Sequence, residues 1–272
     1  MNSVLYHSRM RKRRRHLRRL IFWLAGGISL FVGILFLLLF SSYVRVRHVT
    51  VGGATTVEPV VIEEAIHDMF GSFVYGFIPQ SNIFFLATER IQNRLMESFP
   101  QMASADVTYS FRHGLHVEVV ERARWALYCR GGNEATPPPC YYIDDQGVAY
   151  AIAPSISGDI MLRINDEKNK TEISHLGSSV VEQAVVEKIQ SFLEQLKKRF
   201  SIRVYEVFMG NEYPSHLVFG TEEGWRLITE FATVPETSLD DLALVFEKQV
   251  KDRRNLEYVD VRFAEKVFYK YR

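Results

Sequence analysis

The chain has 272 residues, of which 47% are hydrophobic and 24% charged, and its formal net charge is +1. This length suffices for one or two domains with hydrophobic cores, and only 16 Gly and 9 Pro residues argue against long disordered tracts. Eight of the 33 Lys and Arg residues, but none of the 32 Asp and Glu residues, lie in the first forty positions, so the remainder carries a charge of about −7. An acidic remainder argues against nucleic acid as its partner.

The N-terminal segment joins a basic cluster to an apolar run. Leu20–Phe40 has no charged side chain, and a helix of this length crosses the ~30 Å of bilayer hydrocarbon. Lys and Arg residues beside a membrane span stay in the cytoplasm, so the cluster predicts a cytoplasmic N-terminus and a remainder outside the cytoplasm. The cations of the cluster are Arg9, Arg11, Lys12, Arg13, Arg14, Arg15, Arg18 and Arg19.

Two other interpretations fit this junction less well. A cleaved signal peptide has an apolar core of only ~7–15 residues and small residues at its cleavage site. Here the apolar run continues to Phe40 and is followed by Ser41-Ser42-Tyr43. A basic patch for nucleic acid has no reason to border a membrane span. The sequence therefore predicts a retained anchor whose Arg side chains also attract anionic lipid heads.

Residues 43–122 predict one compact α+β module. Residues 43–51, 105–111 and 115–122 alternate apolar and polar side chains as strands do. A first helix has Pro59 in its first turn, and its predicted apolar face comprises Val60, Ile62, Ala65, Ile66 and Met69. A second helix follows Thr88 and ends at Pro100, with an apolar stripe of Ile91, Leu95 and Phe99. Residues 71–82, between the helices, are predicted to form an irregular aromatic loop.

The rest of the chain is predicted to be rich in strands. Two amphipathic helices interrupt them: one over residues 179–200, and one opened by the capping-box sequence Ser238-Leu-Asp-Asp241. The predicted strands are residues 125–129, 140–143, 148–152, 161–164, 203–209, 216–219, 225–228, 258–263 and 266–270. The sequence contains no internal repeat.

Cys129 and Cys140 flank a loop rich in Gly and Pro, between two aromatic, strand-like segments. In an oxidising compartment we expect a disulfide to close this hairpin, and closing so short a loop stabilises a fold by roughly 2–3 kcal/mol. Two free thiols are the alternative. A zinc site is disfavoured because it needs two further ligands, which no second Cys pair or nearby His pair supplies.

Catalytic signatures are absent from the sequence. It has no nucleophile elbow, phosphate-binding loop, zinc-protease motif or dinucleotide glycine fingerprint. His113 and His116 flank a Gly turn, so they do not share a helix face as paired metal ligands would. The acidic pairs Asp144-Asp145 and Glu222-Glu223 stand before Gly, as turn-forming residues do. The sequence predicts no enzyme and calls for no cofactor, metal or small-molecule ligand.

Several short motifs resemble those of known families. Phe99-Pro100, Val107 and Glu121-Arg122 are similar to the end of a polypeptide-transport-associated (POTRA) domain. The segment Tyr142-Ile-Asp-Asp-Gln-Gly-Val148 and the terminal Tyr258-Val-Asp-Val-Arg-Phe263 resemble signatures of the bacterial division family FtsQ/DivIB. The chain departs from the family in the aromatic insertion Gly71–Phe85 and in the cysteine pair.

The resemblance implies four parts and an α+β fold. Residues 1–19 are a cytoplasmic basic tail, and residues 20–42 a single transmembrane helix. Residues 43–121 are an extracytoplasmic POTRA domain of order βααββ, and residues 122–272 a β-rich α+β domain with an open sheet edge at the C-terminus. It also implies a cell-membrane location at the division septum.

The two terminal strands are the predicted partner-binding site, because an unpaired sheet edge accepts a partner strand. In the first of them Val259, Val261 and Phe263 are predicted to face the core, with Tyr258, Asp260 and Arg262 outward. By resemblance, this edge binds the extracytoplasmic parts of FtsB and FtsL, with Arg262 available to a partner carboxylate. The residues predicted to bind a partner are Tyr258, Asp260, Arg262, Phe263, Lys266, Phe268 and Lys270.

Two classes of function follow. The first is a non-catalytic scaffold of the division machinery, held at the cytoplasmic membrane. The second is a membrane-anchored envelope enzyme, or a polypeptide-transport accessory protein whose POTRA domain binds substrate polypeptide. A pocket with converging ionisable groups would favour the enzyme, and an exposed C-terminal edge the scaffold.

Overall fold

The structure is a computed structural model. It describes residues 3–41, 44–71, 73–74, 78–79, 81–110, 114–130, 139–154, 160–167, 173, 175–210, 216–230, 236–263 and 266–272. The helices are α1 (Ser3–Phe40), α2 (Pro59–Phe70), α3 (Thr88–Ser98), α4 (Gln183–Phe200) and α5 (Glu236–Lys248), with a 3-10 turn at Arg253–Asn255. The strands are β1 (His48–Gly52), β2 (Phe73–Val74), β3 (Ile78–Pro79), β4 (Met102–Ser110), β5 (Gly114–Glu121), β6 (Ala126–Arg130), β7 (Cys140–Ile143), β8 (Val148–Ile152), β9 (Arg163–Asp166), β10 (Ser178–Ser179), β11 (Val204–Met209), β12 (His216–Thr221), β13 (Arg226–Glu230), β14 (Leu256–Phe263) and β15 (Lys266–Tyr271).

The chain folds into two compact units. The first comprises Met1–Leu95 and Ser104–Val120, and the second Met96–Ala103 and Glu121–Arg272. Helices and strands are present in both, which confirms the predicted α+β class.

The first unit begins with α1, which continues without a break from the basic cluster into the apolar run. Its part Leu17–Phe40 has 24 residues and is long and apolar enough to cross a membrane. At 1.5 Å per residue this part is about 36 Å long. Most of its large apolar side chains are exposed, as on a helix that faces lipid. These properties support the predicted transmembrane helix.

The rest of the first unit is built on a three-stranded sheet in the order β1-β5-β4, with β1 parallel to β5. Leu115, Val117 and Val119 alternate with exposed residues along β5 and are buried, as are Ile62 and Ile66 of α2 and Ile91 and Leu95 of α3. The two helices thus cover one face of the sheet. The predicted order of strand, helix, helix, strand and strand is confirmed.

Two details of this unit were predicted wrongly. Val60 is exposed at 59%, because it lies about 200° around the helix from Ile62 and therefore points away from the buried stripe. The aromatic segment between α2 and α3 is not wholly irregular, since β2 and β3 pair in it as an antiparallel hairpin.

The second unit is built on a ten-stranded sheet in the order β10-β8-β7-β6-β9-β11-β12-β13-β14-β15. The pairs β6–β9, β9–β11 and β13–β14 are parallel, and the others described are antiparallel. Parallel neighbours need a crossover connection, and α5 lies between β13 and β14 in the sequence. One core joins the buried faces of α4 and α5 to the sheet; its members include Ile189, Phe192, Leu196, Leu239, Leu242, Phe219, Trp225, Leu227 and Val259.

Both helices of this unit begin at other residues than predicted. α4 begins at Gln183 rather than 179, because Ser178 and Ser179 pair with β8 and Glu182 keeps an extended backbone before the first turn. α5 begins at Glu236, two residues before the Ser238 at which the predicted capping box opens the helix. Pro235 precedes that start in the sequence, and proline favours the first positions of helices over their interiors.

The cysteines lie opposite one another in the antiparallel pair β6–β7. Cys129 and Cys140 form a disulfide in the structure, with Cα atoms 4.1 Å apart. Cys129 is buried with Leu127 and Ala153, so the bond lies at the end of a small core. The Pro-rich part of the hairpin loop, residues 131–138, is outside the described residues.

Candidate partner-binding edge

β15 forms one outer edge of the ten-stranded sheet. Among the strands that the structure describes, it pairs with β14 alone. The opposite edge of the sheet is the two-residue β10. A six-residue edge strand presents a row of backbone donors and acceptors on its open side, so β15 is the longer template for a partner strand.

A bulge in β14 determines which side chains accompany that edge. Asp260 lies opposite Phe268, but Phe263 lies opposite Lys266, so β14 contains one extra residue between these pairs. An extra residue transfers the following side chain to the other face. Val259 and Val261 are buried as predicted, whereas Phe263 is 49% exposed and the prediction that it faces the core is wrong.

Asp260 was also predicted wrongly: it is only 5% exposed. Its carboxylate accepts two hydrogen bonds from Arg262, from Nε to Oδ1 at 2.8 Å and from Nη2 to Oδ2 at 2.5 Å. The backbone N–H of Arg262 also donates to Oδ1, at 3.1 Å. A bidentate arrangement of this kind orients both groups strongly. Arg262 therefore covers Asp260, and the guanidinium is already engaged within the chain.

The third member of this cluster is His216 on β12. Arg262 Nη1 donates to His216 Nδ1 at 2.8 Å. Burial and the neighbouring guanidinium both lower the pKa of His216, and Asp260 opposes them in part. This contact has no local sequence signal, because the two residues are 46 positions apart and a strand, β13, separates their strands.

An exposed aromatic pair lies beside the cluster. Phe268 on β15 is 50% exposed, and its ring meets that of Phe263 edge to face with centroids 5.5 Å apart. The Arg262 guanidinium carbon lies 5.5 Å from the centre of the Phe263 ring, within the range of a cation–π contact. The edge therefore offers apolar surface that a partner side chain can cover.

The remaining predicted residues differ in their exposure and in their contacts within the chain. Lys270 pairs with Glu257 across the hairpin at 2.6 Å, and the Glu257 carboxylate raises the pKa of Lys270. Lys266 is exposed, and Tyr258 is half-buried. All seven predicted residues thus lie on the β14–β15 hairpin. After His216, Glu257 is the second residue of this site that was not predicted from the sequence.

The other family-like motifs have structural roles in the second unit. The Arg122 guanidinium pairs with Asp144 at 2.5 Å and donates from Nε to the Pro100 carbonyl at 3.1 Å, so it joins three motif segments. Asp144 Oδ1 accepts the backbone N–H groups of Gln146 at 3.0 Å and Val148 at 2.9 Å. Asp144 is therefore a turn-forming residue, as predicted, with an ion pair in addition.

Each remaining polar candidate that the structure describes contacts a different partner. His116 Nδ1 contacts the Thr50 hydroxyl at 3.0 Å, and His113 lies outside the described residues. Glu222 pairs with Arg203 at 2.6 Å, and Glu223 with Arg253 at 2.9 Å. These two neighbouring acids therefore have different partners.

Comparisons with known proteins agree with this architecture. A family model described as "POTRA domain, FtsQ-type" matches residues 44–122. A cell division protein FtsQ of Streptomyces collinus is 28% identical over 137 residues, which are 50% of this chain and 46% of that protein. A cell division protein FtsQ of Streptomyces coelicolor is 26% identical over 144 residues, which are 53% of this chain and 49% of that protein. The chain spans about half the length of the curated relatives it matches. With the module and the β-rich unit described above, these matches support the assignment of the chain to the FtsQ/DivIB family of bacterial cell-division proteins.

Proposed function

We propose that the protein is a non-catalytic, membrane-anchored scaffold of the cell-division machinery, which recruits FtsB- and FtsL-type partners by strand addition at β15. The names of its relatives support the role in division, and α1 supports the anchor. The N-terminus lies in the cytoplasm, and both units act outside it at the septum. The observation that carries the proposal is that one side of β15 pairs with no strand among the described residues, beside the exposed pair Phe263 and Phe268.

In strand addition, the backbone and the side chains contribute differently to binding. Backbone hydrogen bonds along β15 supply affinity for any extended segment, and the side chains beside the edge supply selectivity. Covering a half-exposed Phe ring contributes about 1.5 kcal/mol, which is roughly tenfold in a dissociation constant. Confining both proteins to one membrane raises their effective concentration, so a short segment suffices for recruitment.

Replacing the aromatic side chain at the edge tests the proposal. The full chain in lipid nanodiscs is titrated with the outer segments of its own FtsB- and FtsL-type partners. Phe268→Ser is expected to weaken binding about tenfold, because the apolar contact is lost. Ile152→Ser on β8 is the matched control, since Ile152 is an exposed apolar strand residue at 71%. Equal affinity of both variants, with unchanged melting temperatures, would contradict the proposed site.

Amide hydrogen exchange tests strand addition separately. When the partner segment binds, exchange along Lys266–Tyr271 is expected to slow, because edge amides gain hydrogen bonds. Binding that leaves these amides unchanged would reject strand addition while keeping the scaffold role. Protection of β4 at the edge of the first unit's sheet, instead of β15, would favour the transport accessory.

A further inference from the structure

The outer end of α1 is held by a residue of the aromatic insertion. Asn82 is wholly buried, and its side-chain amide donates to the carbonyls of Leu38 and Leu39, each at 3.0 Å. Carbonyls in the last turn of a helix have no partner within the helix, and leaving them unsatisfied beside lipid is costly. Arg45 Nη2 donates to the Phe40 carbonyl at 3.2 Å and completes the cap.

Backbone hydrogen bonds fix the turn that follows Asn82. The N–H of Phe84 donates to Asn82 Oδ1 at 2.9 Å, and that of Phe85 to the Asn82 carbonyl at 3.0 Å. The same segment pairs with the chain that leaves α1: Val46 N–H donates to Ser81 O at 2.8 Å, and Ile83 N–H to Val44 O at 2.9 Å. The turn at residues 81–85 thus has a fixed place at the end of the membrane helix.

The length of α1 sets the depth of that turn. Its uncharged run Leu20–Phe40, about 32 Å long, matches the ~30 Å hydrocarbon layer, so Leu38–Phe40 lie at the outer boundary of the bilayer. Asn82 touches the carbonyls of that last turn, and Phe84 is one hydrogen bond away from Asn82. Phe84 is 62% exposed and Phe85 37%, so two apolar rings face outward at the level of the lipid head groups.

We propose that Phe84 and Phe85 insert into the outer interfacial layer of the same bilayer that α1 crosses. The turn at residues 81–85 would then be a second membrane contact of the first unit, beside the helix itself. Aromatic rings are favoured at this depth, and apolar side chains of peripheral segments bury there. Lipid is the occupant that the structure favours, because the turn is hydrogen-bonded directly to the end of the lipid-facing helix. The inference is independent of any division partner and assigns a role to the aromatic insertion.

A second contact with the membrane restricts the orientation of the first unit more than the helix alone does. A single helix leaves the first unit free to tilt in any direction relative to the membrane. A ring pair fixed to one side of the helix axis penalises every tilt that lifts it from the lipid, so the first unit keeps one face toward the membrane.

A fluorescent label at position 84 tests the proposal in the full chain. Phe84→Cys is labelled with an environment-sensitive nitrobenzoxadiazole dye, without reductant, and reconstituted alone in phosphatidylcholine and phosphatidylglycerol vesicles. The matched control is Val60→Cys, whose position in the same unit is equally exposed but separated from the span by β1. The unsubstituted chain, treated alike, gives the labelling background.

A blue-shifted emission and a loss of emission with doxyl lipids are expected at position 84 and not at position 60. A label at carbon 5 of the lipid chain is expected to quench more than one at carbon 12, as at an interface. Solvent-like, unquenched emission at position 84 in a chain with unchanged circular dichroism would overturn the proposal and leave the rings to a protein partner. If the Phe84 variant does not fold, Phe85→Cys takes its place with the same outcomes.

Discussion

The guanidinium of Arg262 already has hydrogen-bond partners within the chain, Asp260 and His216, before any other protein binds. The guanidinium holds the Asp260 carboxylate bidentately and donates to the His216 imidazole. A partner carboxylate must therefore share or replace these contacts. We infer that Arg262 shapes the edge mainly by fixing Asp260 and supporting Phe263, and that its recognition of a partner is secondary.

The pKa of His216 depends on its contact with Arg262. Burial and the Arg262 cation lower it, so the neutral form is favoured in the folded chain. A lowered folded pKa contributes stability above the unfolded value near 6.5 that is lost as the pH falls through the folded pKa. Arg262→Gln is expected to raise the pKa of His216 toward or beyond its ordinary value. Histidine NMR titration measures it, with Arg226→Gln on the neighbouring strand as the control. An unmoved pKa would contradict the contact.

The ion pair between Arg122 and Asp144 is the second residue-scale prediction. Both side chains are almost fully buried. Removing one partner of a buried pair leaves an uncompensated charge, so Asp144→Asn is expected to lower the free energy of unfolding by about 3 kcal/mol. Asp145→Asn, at the exposed neighbouring position, is the control. Denaturant unfolding of both variants measures the difference, and equal midpoints would show that the pair adds nothing.

At the scale of elements, the β6–β7 hairpin is fastened by its cysteines. Without reductant, the denatured chain is expected to take up no maleimide, and after reduction two, as read by mass. Exchanging both cysteines for serine is expected to cost roughly 2–3 kcal/mol of stability, because the open hairpin gains entropy when unfolded. Two labels on the unreduced chain would establish free thiols instead.

Most elements could be predicted from the sequence because their signals are local. The alternation of apolar and polar residues located β5, the turn sequence Asp144-Asp-Gln-Gly located β8, and the stripe of Ile91 and Leu95 located α3. The bulge in β14 could not be predicted, because it depends on the register with β15, and that error placed Phe263 on the wrong face. The same limit applies to Arg262 and His216, whose contact depends on the strand order of the sheet. The capping of α1 by Asn82 joins residues 44 and 43 positions apart and has no local signal.

At the scale of the whole molecule, the order of basic segment, span and acidic remainder predicts an orientation with the N-terminus in the cytoplasm. Replacing Arg13, Arg14, Arg15, Arg18 and Arg19 by Gln is expected to leave a fraction of chains inverted, because Lys and Arg near the span determine which end stays in the cytoplasm. Protease accessibility of the second unit in intact spheroplasts measures that fraction. Lys248→Gln with Lys251→Gln, far from the span in sequence, is the control. Full accessibility of the five-Gln variant would show that another signal sets the orientation.

α1 is one continuous helix of 38 residues, about 57 Å from end to end, and its C-terminal end is capped by Asn82 and Arg45. Because the helix is unbroken between the basic segment and this cap, we propose that a tilt or rotation of the basic segment is transmitted to the rest of the first unit. In this proposal the helix transmits rotation in addition to holding the protein at the membrane. Inserting one residue between Arg19 and Leu20 would rotate the basic segment by about 100° relative to the cap formed by Asn82 and Arg45.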